Sequence, residues 1–406
     1  MANTLLTTDM IADKALDVLS QKLTFIKSIN HDYDDSFAKT GGKIGDTLRI
    51  RVPQHGTVRT GRVMQPDPLV DETTPLAIAD QKGVDLVYNS AELALDIDSF
   101  AERYLNQRMA DLAVSIEAAT IANAAAGVPS QTGNPDAALN DLFWPLMANK
   151  LLDDQLAPSD RSMLLNTSGN LQIVKALSGL YNNTADVGKQ YHSGYMGHAA
   201  GFDWYNSTVM PMHLNGGFGG TPLVAGANQT GTSIVTDGWT ASSPILFKGD
   251  IITFAGVNAV HAQTKADLGY LRQFVVTADV VSAASGTTSI PVYPALATAG
   301  PQQNVTAAPA DNAALAIAGT KADSYGINLA YARDFATFVS ADLPLPPKKD
   351  ASRRVYQGLS LRVINDFDTR NDEFLTRVDI LFGSAVLRPE FAVRVANDPA
   401  ALTPPA

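Results

Sequence analysis

Cysteine is absent from this 406-residue chain, which excludes disulfides, thiolate nucleophiles and cysteine-bound metals and fits assembly in a reducing cytoplasm. Charge is sparse and unbalanced: charged residues make up 17% of the chain, and 30 Lys and Arg face 41 Asp and Glu for a formal net of -11. A chain of that sign repels nucleic acid and anionic membrane as a whole, so contact with DNA is expected to be local or incidental. No run of eighteen apolar residues occurs, which predicts no spanning helix. Asp9, Asp13 and Asp17 stand where a secretion signal needs an unbroken apolar stretch, so export by that route is not expected. Asn206-Ser207-Thr208 is then a chance match to a glycosylation acceptor.

Constellations that carry chemistry are missing as well. His31, Asp32, Asp34 and Asp35 offer metal-ligand side chains, but their spacing fits no ligand motif and reads as the start of a solvated loop. Asp366 and Asp368 imitate the opening of a calcium loop. Arg370 then stands where a third oxygen belongs, Asn371 replaces the glycine and Arg377 occupies the bidentate glutamate position, so a turn between strands is expected. His192 and His198 have no His-Glu-x-x-His arrangement near them, and no Gly-x-Ser-x-Gly elbow exists. The glycine run at 216 to 220 lacks a following Gly-Lys-Ser/Thr and reads as a hinge; Gly41, Gly42 and Gly45 are further candidate joints. These absences predict a protein with no cofactor, no metal and no catalytic role.

What the chain has is apolar material and order. Hydrophobic residues make up 45%, enough for two or three packed domains. From Thr8 to Ser28, apolar side chains at Ile11, Ala15, Val18, Leu19, Leu23 and Ile26 form a helical stripe that must dock elsewhere on the structure or on another chain. Residues 31 to 80 lose that period, alternate over Thr47 to Val52 and carry Gly and Pro punctuation, which predicts an extended β-loop. Arg49, Arg51, Arg59 and Arg62 lie on it, followed by Asp67, Asp71 and Glu72. Their spacing displays arginines in pairs on one face, suited to pairing with carboxylates of a neighbouring subunit. We take Arg49, Arg51, Arg59, Arg62, Asp71 and Glu72 as candidate contact residues between subunits; an ordinary charged surface hairpin is the bland alternative.

A capping box at Ser99 to Glu102 opens a helical pattern through Leu105, Met109, Leu112, Ile116 and Ala119 that Gly127 and Pro129 stop. Nearly thirty residues of helix, spanning roughly 40 Å, are expected there. Residues 136 to 215 mix helical and strand patterns as an α/β module. From Thr221 to about Gly319 the chain turns to Thr, Val, Gly and Ser with short β-prone runs such as TSIVTDGW and QFVVTADVVSA, predicting an inserted β-barrel or sandwich of about 100 residues. Long alternating strands return behind it.

This order, with GFDWYNSTVMP before the insertion, FKGDIITFAGVNAV within it, GPQQNVTAAPADNAAL at its end, INLAYARDFATF after it and FLTRVDILFGSAVLRPEFAVRV as closing strands, resembles the major capsid proteins of tailed bacteriophages. The resemblance is to the short-tailed-phage branch whose coat proteins carry an inserted β-barrel. It implies an α+β fold shared with herpesvirus capsids: an N-terminal arm at 1–30, an extended loop at 31–80, a peripheral domain with a long spine helix at 81–135, an axial domain at 136–220, the inserted barrel at 221–320 and return strands at 321–406. It further implies a virion shell assembled in the host bacterial cytoplasm from hexamers and pentamers of this chain. The partners it implies are a scaffolding protein, a portal protein and decoration proteins, with double-stranded DNA enclosed without specific binding. A β-rich decoration or receptor-binding virion protein is the alternative, motivated by the Thr- and Gly-rich middle.

Overall fold

The computed structural model describes residues 8–31, 47–52, 56, 61–64, 72–89, 105–177, 197–347, 350–356 and 358–402. The N-terminal stripe folds as α1 (Thr8–Lys22) and, after a break, the single turn α2 (Phe25–Ser28). β1 (Thr47–Val52) and β2 (Glu72–Ala77) pair as a two-stranded ribbon, and β3 (Asp80–Asn89) follows. The long helix α3 (Asn106–Ala126) stops just before Gly127, and its 21 residues span about 31 Å. Its expected capping box, Ser99 to Glu102, lies outside the described residues.

β4 (Ser130–Gly133), α4 (Phe143–Asp154), β5 (Arg161–Leu165) and α5 (Thr167–Leu177) alternate, and β6 (His198–Ala199), β7 (Phe202–Asn206) and β8 (Met212–Leu214) follow. Then come strands only: β9 (Gly220–Val224), β10 (Gly231–Trp239), β11 (Pro244–Leu246), β12 (Ile251–Val260), β13 (Asp267–Val276), β14 (Val280–Val281), β15 (Thr288–Leu296) and β16 (Leu315–Ile317). The return segment holds β17 (Ser324–Ala332), β18 (Ala336–Ala341), β19 (Asp350–Tyr356), β20 (Leu359–Asp368), β21 (Glu373–Val386) and β22 (Ala392–Asn397).

Contacts group the chain into two units. One comprises Met1–Ile50, Thr74–Ile121 and Ala336–Ala385; the other comprises Arg51–Thr73, Ala122–Phe335 and Val386–Ala406. In the first, β21 is the central strand, pairing with β18, β20 and β3, and β19 lies beyond β20. β3 keeps one antiparallel register against it from Asn89 opposite Glu373 to Asp80 opposite Phe382. α1 packs on β19 and β20 and buries Ile11, Ala12, Ala15, Leu16 and Leu19. Leu23, Phe25, Ile26 and Ile29 continue the buried run. Asn30 then joins β18, donating its N–H to Ala336 O at 3.2 Å and accepting from Phe338 N–H at 3.1 Å.

Of the two docking places expected for the stripe, the structure shows the first: residues 8–31 are covered by the chain's own sheet and not by a neighbouring chain. Their apolar stripe is shielded by the chain's own sheet, and each fully buried Leu or Ile contributes about 2 kcal/mol there.

The second unit is built on a seven-stranded mixed sheet ordered β4-β22-β17-β5-β7-β6, with β8 also on β17. β4 pairs β22 and β5 pairs β7 in parallel, so a crossover must link β5 to β7, and α5 lies on it. Every residue of β17 but the first is buried, the pattern of a strand covered on both faces.

β9 to β16 form a six-stranded antiparallel ladder ordered β16-β12-β13-β15-β10-β9, with β11 and β14 as a separate pair. The two ends of the ladder meet: Val224 N–H donates to Ala313 O at 3.0 Å, and Asn312 N–H donates to Val224 O at 2.9 Å. Its apolar interior, including Ile234, Trp239, Phe254, Phe274, Ile290 and Leu315, is drawn entirely from between Phe218 and Ile317.

The glycine run before β9 is not a loose joint. A Cβ on Gly216 would lie 2.3 Å from Ile245 O, and one on Gly220, at φ +92°, would lie 2.1 Å from Gly238 O. Glycine is required there by close backbone packing, which corrects the hinge reading.

Candidate functional site

β1 places its arginines as the alternation predicts. Arg49 and Arg51 are exposed on one face, and Ile50 between them is 4% exposed on the other. Arg62 is exposed further along the loop, next to Val63 and Met64, whose exposures of 78% and 77% exceed those of the other large apolar side chains described. Arg59 and Asp71 lie outside the described residues. Glu72 opens β2, but its side chain is likewise outside them. Of the six candidate contact residues, the structure brings together Arg49 and Arg51.

A polar anchor that the sequence reading did not single out sits where the ladder meets the seven-stranded sheet. Asp250, in the turn before β12, is fully buried. Its Oδ1 accepts from His213 Nε2 on β8 at 2.8 Å. Its Oδ2 accepts from Phe247 N–H at 2.8 Å and Gly216 N–H at 3.1 Å. One carboxylate thus ties together the sheet, the entry into the ladder and the turn that precedes β12. The acceptor role of the carboxylate fixes the proton of His213 on Nε2.

Beside it, fully buried Arg394 of β22 donates through Nη2 to Val128 O at 2.9 Å and Gly249 O at 2.8 Å. Burial pulls its guanidinium below the usual arginine range, while Tyr325 and Asp250 push the other way. The Tyr325 hydroxyl donates to Gln131 Oε1 at 3.1 Å, and the amide of Gln273 on β13 pairs with the backbone of Gln131 on β4 at 2.6 and 2.9 Å. At the far end of β13, the Tyr270 hydroxyl donates to Asp154 Oδ2 of α4 at 3.0 Å, and burial together with that carboxylate raises the phenol well above its usual range.

The signals were present but mute. An aspartate at the mouth of the apolar strand IITF and an arginine inside AVRVA break the apolar pattern, yet their partners lie 37 and 145 residues away in the chain.

Among the described residues no three His, Asp or Glu side chains lie close enough to hold a metal ion. His31 Nε2 hydrogen-bonds to Ile26 O at 2.7 Å; Asp32, Asp34, Asp35 and His192 fall outside the described residues. His198 pairs with Asp203 at 2.9 Å on the surface. The stretch with Asp366 and Asp368 is the β20–β21 turn, as expected: Asp368 Oδ1 accepts from Arg370 N–H at 2.8 Å and its Oδ2 from Asn371 Nδ2 at 3.0 Å. No helix among the described residues is long and apolar enough to cross a membrane.

The family model described as P22 coat protein, gene protein 5, matches residues 2–395. This chain belongs to the P22 coat protein family. It is accordingly a major capsid protein, a structural subunit of the icosahedral shell of a phage virion. No curated protein matches the coat protein by sequence.

Among solved structures, a chain of Mycobacterium phage Che8 is similar at 13% identity with a TM-score of 0.47, covering 92% of this chain and 90% of that one. The capsid of cyanophage P-SCSP1u is similar at 11% identity with a TM-score of 0.42, covering 88% and 84%. The CUS-3 coat protein I-domain matches at 23% identity with a TM-score of 0.19, covering 25% of this coat protein and 98% of that chain.

Proposed function

We propose that this coat protein closes its shell from hexamers and pentamers in which the extended loop of one copy lies on a neighbour, its arginines pairing with carboxylates there. The observation that carries this reading is the exposed Arg49 and Arg51 pair on a two-stranded ribbon, with Arg62, Val63 and Met64 exposed farther along the same loop. Arginine forks set register, and the apolar pair supplies area to be covered. The ladder between Gly220 and Ile317 serves as the family's inserted barrel, steadied on the rest of its own subunit by Asp250 and Gln273. Assembly takes place in the host cytoplasm around a scaffolding protein, on a portal, with double-stranded DNA enclosed but not gripped, as the net charge of -11 favours. Decoration proteins bind the finished shell. The subunit acts as architecture and turns over no substrate.

Expression with and without the scaffolding protein, followed by electron microscopy, tests the reading. Closed shells with the scaffold, and irregular or no shells without it, are expected. A product that stays monomeric in both cases would overturn it, and a stable trimer that forms nothing larger would favour a decoration or receptor-binding protein instead.

A further inference from the structure

Glu117 lies on the buried face of α3 and is 6% exposed. Its Oε1 accepts both backbone N–H groups at the break between α1 and α2, from Thr24 at 3.0 Å and from Phe25 at 2.6 Å. The other two buried carboxylates among the described residues have side-chain partners that donate to them: Asp379 has Arg362 and Arg377, and Asp250 has the His213 imidazole. Glu117 has none. The charged groups on the surrounding elements are engaged or turned outward. Lys22 and Lys27 on the arm are exposed, and the Lys82 ammonium of β3 is bound to Ser115 O at 2.6 Å and Ser115 Oγ at 2.9 Å. On α3 itself, Asp111 accepts from Gln107 and Arg108 is exposed.

We propose that Glu117 is a proton-gated clasp holding the N-terminal arm to the long helix, firmest when its carboxyl is neutral and loosest when it is charged. Both N–H groups use the same oxygen, so a proton on Oε2 removes the buried charge and leaves the acceptor in place. The charged form keeps the same two bonds but carries an unpaired charge out of water, which is the costlier arrangement. In agreement, burial pushes the Glu117 carboxyl above the usual carboxylate range, outweighing the two N–H groups that pull it down. A carboxyl raised by folding binds its proton more tightly in the folded chain than in the unfolded one. Its contribution is therefore fully present below the ordinary carboxylate value and is lost as pH rises through the raised value.

Hydrogen exchange of the full-length protein across that window, corrected for intrinsic rates and read at the amides of Thr24 and Phe25, tests the clasp. In the parent chain, protection at both amides is expected to fall as pH rises. In Glu117→Gln, which keeps the acceptor and cannot ionise, it should stay flat. In Glu117→Leu, which removes the acceptor, protection should drop by roughly tenfold or more at every pH. Identical pH profiles in the parent and Glu117→Gln, or unchanged protection in Glu117→Leu, would overturn the proposal. Should Glu117→Gln fail to fold, infrared difference spectra of the parent chain decide: a protonated glutamate band persisting above the ordinary carboxylate range supports the clasp, and its absence sinks it.

Discussion

Asp379 is 2% exposed and accepts from Arg362 Nη2 at 2.6 Å and from Arg377 Nε at 2.8 Å, an arrangement that raises the Arg377 guanidinium above its usual range. Truncating such a carboxylate strands a mostly buried arginine, so Asp379→Ala should cost about 3 kcal/mol, read as a lower urea midpoint at unchanged slope. The Arg354 pairs with Asp9 and Asp13 hold side chains that are 41%, 61% and 64% exposed, and water screens them. Asp13→Ala should accordingly cost under about 1 kcal/mol in the same measurement. Asp250 resembles Asp379 in burial but not in partners, since two of its three donors are backbone N–H groups. Asp250→Ala is expected to cost about 3 kcal/mol or more, and Asp250→Asn less, because one amide oxygen can still accept.

At the level of elements, α1 and β1 were legible for opposite reasons. α1 shows its helical stripe because one face is buried; β1 shows alternation because Ile50 is buried between exposed arginines. The pattern could not say what covers the stripe of α1, since β19 and β20 lie more than 300 residues on and nothing local encodes that pairing. It follows that the arm is part of the fold. Leu19→Ala, at a fully buried site, should cost about 3 kcal/mol in urea unfolding of the unassembled subunit.

The glycine run at 216 to 220 was misread for a related reason: composition cannot distinguish a glycine that moves from one that lets two backbones touch. Gly216→Ala should destabilise the subunit by about 2 kcal/mol, because the added Cβ meets the backbone of β11 and not a flexible side chain. Of the candidate contact residues, periodicity placed Arg49 and Arg51 together. The Asp250 anchor stayed hidden because its donors come from Phe247, Gly216 and His213, and only the first is a close neighbour in the chain.

For the molecule as a whole, folding and assembly should separate on mutation. Arg49→Glu with Arg51→Glu is expected to reduce shell yield in sedimentation more than it lowers the thermal transition of the free subunit, since exposed charges act on association and register. Equal loss of both would assign these arginines to the subunit's own fold. A fragment from 221 to 320 retains nearly every member of the ladder's apolar interior and should melt in one cooperative transition; an unstructured fragment would move the boundary. The meeting of Val224 with Asn312 and Ala313 bears on how the subunit avoids pairing with other strands. A six-stranded ladder left open would offer unpaired main-chain groups at both margins to any passing strand. Joined end to end, the ladder has little with which to recruit another chain by strand addition, so its own margins are withdrawn from that hazard.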